Sequence, residues 1–136
     1  IAKEKGIELS TKALTNSSGY KNKVTIKITT SKGVKTISGT VFGEDVQRVV
    51  DLDGFVIDVE PKGKMIIMKN KDIPGVVGKV GNILGENGIN ISDFRLSRGK
   101  EGTALAVILI DEKANSKVTS ELDNLEASIA VAYAEI

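Results

Sequence analysis

Neither cysteine nor histidine occurs among the 136 residues, and tryptophan is absent as well. Without Cys and His the chain can form no disulfide, no thiolate nucleophile, no Ser-His-Asp triad and no zinc site built from those ligands. Catalysis would fall to carboxylates, Lys, Arg and Tyr, and no acid/base pair sits in a supporting motif, so a self-contained enzyme is not expected. Aromatics are 4% of the residues, a thin supply for a surface that stacks bases. A net charge of +1 exerts no general pull on nucleic acid or an anionic membrane. The longest apolar run, Ala104–Ile110 (ALAVILI), is far too short to span a bilayer and reads as a buried strand. Nucleic acid, membrane and metal are therefore not expected partners. The lack of Cys fits a cytoplasmic protein. No secretory signal is read at Ile1, and the missing initiator Met leads us to expect a piece of a longer protein.

What is present is an ordinary globular balance, 40% apolar and 27% charged, in a chain long enough for a real core. Its two halves differ in texture. From Lys21 to Val59 Val, Ile and Thr dominate and alternate: Val24, Ile26 and Ile28 face one way, Thr25 and Lys27 the other. Ser31-Lys32-Gly33 reads as a turn into a strand over Val34–Phe42. In VVDLDGFVIDV, Asp53-Gly54 supplies the positive φ angles of a tight hairpin turn. Ala2–Lys5 looks like the tail of a helix, and residues 10–20 are polar and irregular. This half is mostly antiparallel β, and Pro61-Lys62-Gly63 closes it.

The second half alternates strands and helices. Strands are expected at Met65–Met68, Ile89–Leu96, Thr103–Ile110 and Ile129–Ile136, and helices at Pro74–Asn87 and Ser116–Leu125. In the first helix Val76, Val77, Val80, Ile83 and Leu84 form one apolar stripe, with Pro74 placed in the first turn and Gly88 at a left-handed C-cap. Val118, Leu122 and Leu125 mark the second, with Ser116 as its cap. The order βαββαβ is the ferredoxin-like split pattern. We thus expect an α+β chain of two units, 1–62 and 63–136.

Gly78, Gly81 and Gly85 lie within that first helix, where each costs about 1 kcal/mol relative to Ala, roughly 3 in all. A face of small residues admits a close backbone, either the sheet of the same chain or a neighbouring subunit. A nucleotide loop is excluded by spacing: Gly75, Gly78 and Gly81 make G-x-x-G-x-x-G, not G-x-G-x-x-G, and no G-K-[ST] follows. Asp72-Ile73-Pro74-Gly75 stands where a strand hands over to a helix. A helix N-terminus suits a carboxylate and an Asp ahead of it suits an ammonium, which together describe a free amino acid. Alternatively, Asp72 only caps the helix and Asn90 is a turn residue.

NKDIPGVVGKVGNILGENGINIS, residues 70–92, resembles the opening of an ACT domain, a small regulatory module of amino-acid metabolism. The preceding YKNKVTIKI and ISGTVFGEDVQRVVDLDGF resemble the intervening, allosteric substrate-binding domain of bacterial-type D-3-phosphoglycerate dehydrogenases, and IAKEKGIEL resembles its junction with the catalytic part. The resemblance covers essentially the whole chain. It implies a regulatory piece without catalytic residues, NAD belonging to the absent catalytic part and no cofactor here. It implies L-serine as effector for feedback inhibition of L-serine biosynthesis, held between two ACT domains that self-associate as dimer or tetramer. Matched by motif position, Asn70 and Asp72 of one subunit and Asn90 of the other take the ligand, beside the backbone of Ile73, Pro74, Val76 and Val77. Two second-strand edges would join across a twofold axis into one eight-stranded sheet. Asn70 departs from relatives that carry His or an aromatic there. For the first half, the family name implies phosphorylated substrate or phosphate as a second effector. Arg48 aligns with a basic position of that site, whereas Phe55, Val56 and Glu60 stand where some relatives have basic residues, so a strong anion site is not expected. The alternative parent is the β chain of an iron-sulfur L-serine dehydratase. An RNA-recognition motif shares the βαββαβ order but needs stacking aromatics that Thr103–Ile110 lacks.

Overall fold

The computed structural model describes residues 3–13 and 19–136. After a short 3-10 turn at Lys3–Lys5 come β1 (Val24–Thr30), β2 (Gly33–Phe42), β3 (Val46–Leu52) and β4 (Phe55–Val59). Then follow β5 (Lys64–Lys71), α1 (Val76–Glu86), β6 (Ile91–Arg98), β7 (Thr103–Ile110), α2 (Ser116–Asp123) and β8 (Ser128–Glu135). The strands make two four-stranded antiparallel sheets, ordered β1-β2-β3-β4 and β6-β7-β5-β8. The chain is α+β, as its texture indicated. Of the expected helical tail at Ala2–Lys5, Ala2 lies outside the described residues and the remainder is that 3-10 turn. The irregular reading of residues 10–20 falls partly outside them as well, at 14–18.

The first sheet is a meander whose third turn is the expected one. Asp53 and Gly54 have φ of 50° and 83°, the two positive values that match the turn to the strands' twist. The Asp53 amide donates to the Thr36 carbonyl (2.8 Å), and its Oδ1 accepts from the Thr36 amide (2.8 Å), tying the turn to β2. β1 is exposed along its whole length, so the alternation of Val24, Ile26 and Ile28 reflects a shared face and not a buried one.

The second sheet sorts its side chains by period two. Ile66 and Met68 of β5, with Ala106, Ile108 and Ile110 of β7, meet Val76, Val80 and Leu84 of α1 and Val118 and Leu122 of α2. The alternate residues Met65, Leu105, Val107 and Leu109 pack against Phe55, Ile57 and Val59 of β4. β7 is therefore buried on both faces, which is why its sequence is apolar without interruption. The helix-free face, which an RNA-recognition motif would present to its ligand, is covered by the first sheet.

Helix ends differ from expectation in instructive ways. α1 starts at Val76 because Gly75, at φ 86°, is left-handed and serves as N-cap; Pro74 lies outside the helix, and no side chain caps it. Asp72 is thus not the cap. At the other end the Ile89 amide donates to the Leu84 carbonyl (2.9 Å) and Gly88 to Gly85 (3.0 Å), with Gly88 at φ 68°. That pair of bonds is a Schellman motif. It ties Ile89 to the helix, so β6 begins two residues later than expected. In α2 the cap is Asn115, whose Oδ1 accepts from the Val118 amide (3.1 Å), and not Ser116. The glycine face of α1 also departs from the packing explanation. A Cβ added at Gly78, Gly81 or Gly85 would meet nothing within 4 Å, so among the described residues no other segment's backbone comes close.

Candidate functional site

The handover from β5 to α1 forms a cleft. The Asp72 amide donates to the Gly102 carbonyl (2.8 Å) and the Ile73 amide to the Lys71 carbonyl (3.0 Å), which bends the chain away from the sheet toward the helix start. Asn70, Asp72, Ile73, Val76 and Val77 line the opening, with Phe94 and Leu96 of β6 opposite. Its volume is about 40 Å³. At roughly 10–15 Å³ per water-sized occupant that holds about three small groups. Ile73, Val77 and Leu96 at the mouth are 49%, 50% and 45% exposed, an apolar rim beside the unpaired edge of β6.

Asn70 is buried and its Nδ2 donates to the Lys71 carbonyl (2.7 Å). Pro74 turns the other way, into a crevice with Lys79, Leu125 and Glu126. Asn90 is not in this cleft. Its Nδ2 donates to Asp111 Oδ2 (2.7 Å) and its amide to Glu112 Oε2 (2.6 Å). Register explains the separation: Asn70 and Arg98 both pair with Ala104, whereas Ile91 and Lys64 pair with Ile110. The seven residue steps from Ile91 to Arg98, at about 3.3 Å each, put Asn90 roughly 23 Å from the Asn70 end of the cleft within one chain.

The structure adds a residue that motif reading missed. Arg98, the last residue of β6, points its guanidinium at Asp72, with Nε 3.2 Å from Oδ2. Its alternation with Phe94 and Leu96 places it on the cleft side of β6. The sequence signal was only its position, one residue ahead of the β6–β7 turn; the register was needed to set it beside the end of β5.

Arg48 lies elsewhere, at the junction of the two sheets. Its Nε donates to Asp58 Oδ1 (2.6 Å) and its Nη2 to the Asp58 carbonyl (3.3 Å), with the side chain only 19% exposed. It is a sheltered, engaged cation and not a solvated one, and an anion there would compete with Asp58. Nearby, Arg95 Nε donates to Asp93 Oδ2 (2.8 Å). That bond holds the Asp93 carboxyl below the usual carboxylate range and raises the Arg95 guanidinium further. Among the described residues no group of three or more acidic side chains is arranged to hold a metal ion, and no helix is long and apolar enough to cross a membrane.

The ACT domain family model matches residues 64–127, and that of the D-3-phosphoglycerate dehydrogenase intervening domain matches residues 1–53. The chain is the intervening and ACT region of the D-3-phosphoglycerate dehydrogenase family. It is 35% identical over 132 residues to the D-3-phosphoglycerate dehydrogenase of Bacillus subtilis (strain 168), which covers 96% of this chain and 25% of the relative. The Archaeoglobus fulgidus enzyme of the same name is 28% identical over 139 residues, covering 100% of this chain and 26% of the relative. That of Mycobacterium tuberculosis (strain ATCC 25618 / H37Rv) is 31% identical over 111 residues, 80% of this chain and 21% of the relative. The chain thus spans about a quarter of the length of these curated relatives, and it corresponds to the non-catalytic, regulatory region of the family.

Proposed function

We propose that this region is the L-serine sensor of an NAD-dependent D-3-phosphoglycerate dehydrogenase of L-serine biosynthesis, acting in the cytoplasm by feedback inhibition. One observation carries the reading: Asn70, Asp72, Ile73, Val76 and Val77, matched to the ACT motif by position, converge on one cleft beside the open edge of β6. Asp72 offers a carboxylate to an ammonium. The uncapped α1 N-terminus offers backbone N–H groups and a positive dipole end to a carboxylate. The half-pocket and its apolar rim suit closure by a second copy. If two β6 strands pair antiparallel across a twofold axis, Asn90 of the second copy arrives at the Asn70 end of the first. The 23 Å separation within one chain is then what a shared site requires. Serine bound across the joint would stabilise one arrangement of the dimer, and such coupling is usually worth about 1–3 kcal/mol.

NAD would belong to the remainder of the dehydrogenase. Gly78 lies in the first turn of α1 and Gly81 inside it, so with Gly75 they do not form the G-x-G-x-x-G loop that cradles a phosphate ahead of a helix. An iron-sulfur L-serine dehydratase parent is disfavoured, since the relatives described above are all D-3-phosphoglycerate dehydrogenases. Isothermal titration of L-serine into the chain and into Asp72→Ala tests the proposal. Binding by the wild type that vanishes in the variant is expected. Equal binding by both would refute the site.

A further inference from the structure

We infer that Arg98 recognises the α-carboxylate of the ligand, so that the Asp72–Arg98 ion pair is a ready-made template for an amino-acid zwitterion. The inference rests on the amino-acid reading of the cleft and adds to it the group that selects acids over simple amines.

The two charges stand 3.2 Å apart at the cleft, one from the β5–α1 turn and one from the end of β6. Asp72 is the sheltered member, 28% exposed, and is fixed through its amide by Gly102; Arg98 is 78% exposed and extends from the strand end. An exposed pair of this kind contributes little to the fold, so opening it costs little. A zwitterion can enter between its members, ammonium on Asp72 and carboxylate on Arg98, exchanging one contact for two. Arginine suits the task because its planar fork of N–H donors takes a carboxylate in two parallel hydrogen bonds, of which the pairing seen here engages Nε. An amine without a carboxylate would have to break the same pair and leave the guanidinium unpaired. The template therefore prefers amino acids to their decarboxylated analogues. Phe94 and Leu96, on the same side of β6 as Arg98, form the apolar wall of the cleft.

The test is a titration of the 136-residue chain with L-serine and with ethanolamine, its decarboxylated analogue, using wild type, Arg98→Gln and Arg98→Lys. Arg98→Gln is expected to weaken serine binding at least tenfold while leaving ethanolamine binding undiminished or tighter, since the amine no longer has to break the pair, and Arg98→Lys to recover part of the loss. Circular dichroism should show the variants folded, as the exposure of Arg98 implies. Serine binding by Arg98→Gln within twofold of wild type, or tighter, overturns the inference; so does an equal loss for serine and ethanolamine, which would mean that Arg98 acts by orienting Asp72. Binding that survives Arg98→Gln but is lost in Asp72→Ala overturns this inference alone. A wild type that binds no serine overturns the amino-acid reading and this inference together.

Discussion

Substituting Gly99 by Ala should expose how the two sheets are joined. Gly99 opens the β6–β7 turn, and its backbone is in a region open to any residue, so alanine meets no conformational penalty there. The obstacle is steric. An added Cβ would lie 2.4 Å from Phe55 Cε1 and 3.0 Å from both Phe55 Cζ and Thr103 Oγ1, more than 1 Å inside ordinary contact for the first. Phe55 cannot swing clear, because it is 7% exposed, wedged among Leu105, Val107 and Leu109, with the Lys69 ammonium over its ring at 5.7 Å. Overpacking of this kind costs about 1–3 kcal/mol. Phe55→Ala alone should cost about 3–5 kcal/mol through the cavity it leaves. Both losses are large against a total of roughly 7–20 kcal/mol for a chain of this length. In the Phe55→Ala background the two contacts with the ring are gone and only the 3.0 Å approach to Thr103 Oγ1 remains, so the cost of Gly99→Ala should fall by about 1–3 kcal/mol. That fall in cost is what a double-mutant cycle in urea would read. Tyr20 lies before the first sheet and Tyr133 in the second, so tyrosine fluorescence and circular dichroism together follow both. A Gly99→Ala cost unchanged by removal of Phe55 would refute the packing described here.

Two further outcomes concern stability. Burial alone would raise the Asp53 carboxyl, but the Lys35 ammonium at 2.7 Å and the Thr36 amide outweigh it and hold it below its usual value. The native state then binds fewer protons than the unfolded one. The stabilisation is complete above the unfolded pKa near 3.9 and fades as pH falls through the folded value. Asp53→Asn should flatten this acid limb in a series of melts between about pH 2 and 6, and an unchanged limb would contradict the assignment. Asn115→Ala should cost about 1 kcal/mol by removing the α2 cap, whereas Ser116→Ala should cost little; the reverse order in thermal melts would restore Ser116 as cap.

Much of the fold was legible in the sequence because it depends on local chemistry. The Asp53-Gly54 turn follows from which residues tolerate positive φ, β7 from an apolar run that only a doubly buried strand permits, and Gly88 from the demand of a left-handed C-cap. The boundaries of α1 and β6 were less legible. Gly75 and the Gly88–Ile89 bonds shifted each by two residues, and such capping bonds are formed between backbone groups that carry no sequence label.

The site divides along the same line. Asn70 and Asp72 sit two residues apart at a strand end, so their nearness to the α1 start was a local matter. Arg98 is 26 positions further on from Asp72 in the numbering and meets it only because the register sets Asn70, Ala104 and Arg98 side by side. The same register holds Asn90 away from the cleft. The order of elements, the turns and the chemistry available at the end of β5 follow from local residue patterns alone. That the helix-free face is filled by Phe55, Ile57 and Val59, that Arg48 is held by Asp58, and that α1 leaves its glycines without a neighbour among the described residues came from long-range packing. Contacts between segments distant in the chain depend on strand pairing and on how two apolar faces meet, and neither is encoded in the spacing of any one segment.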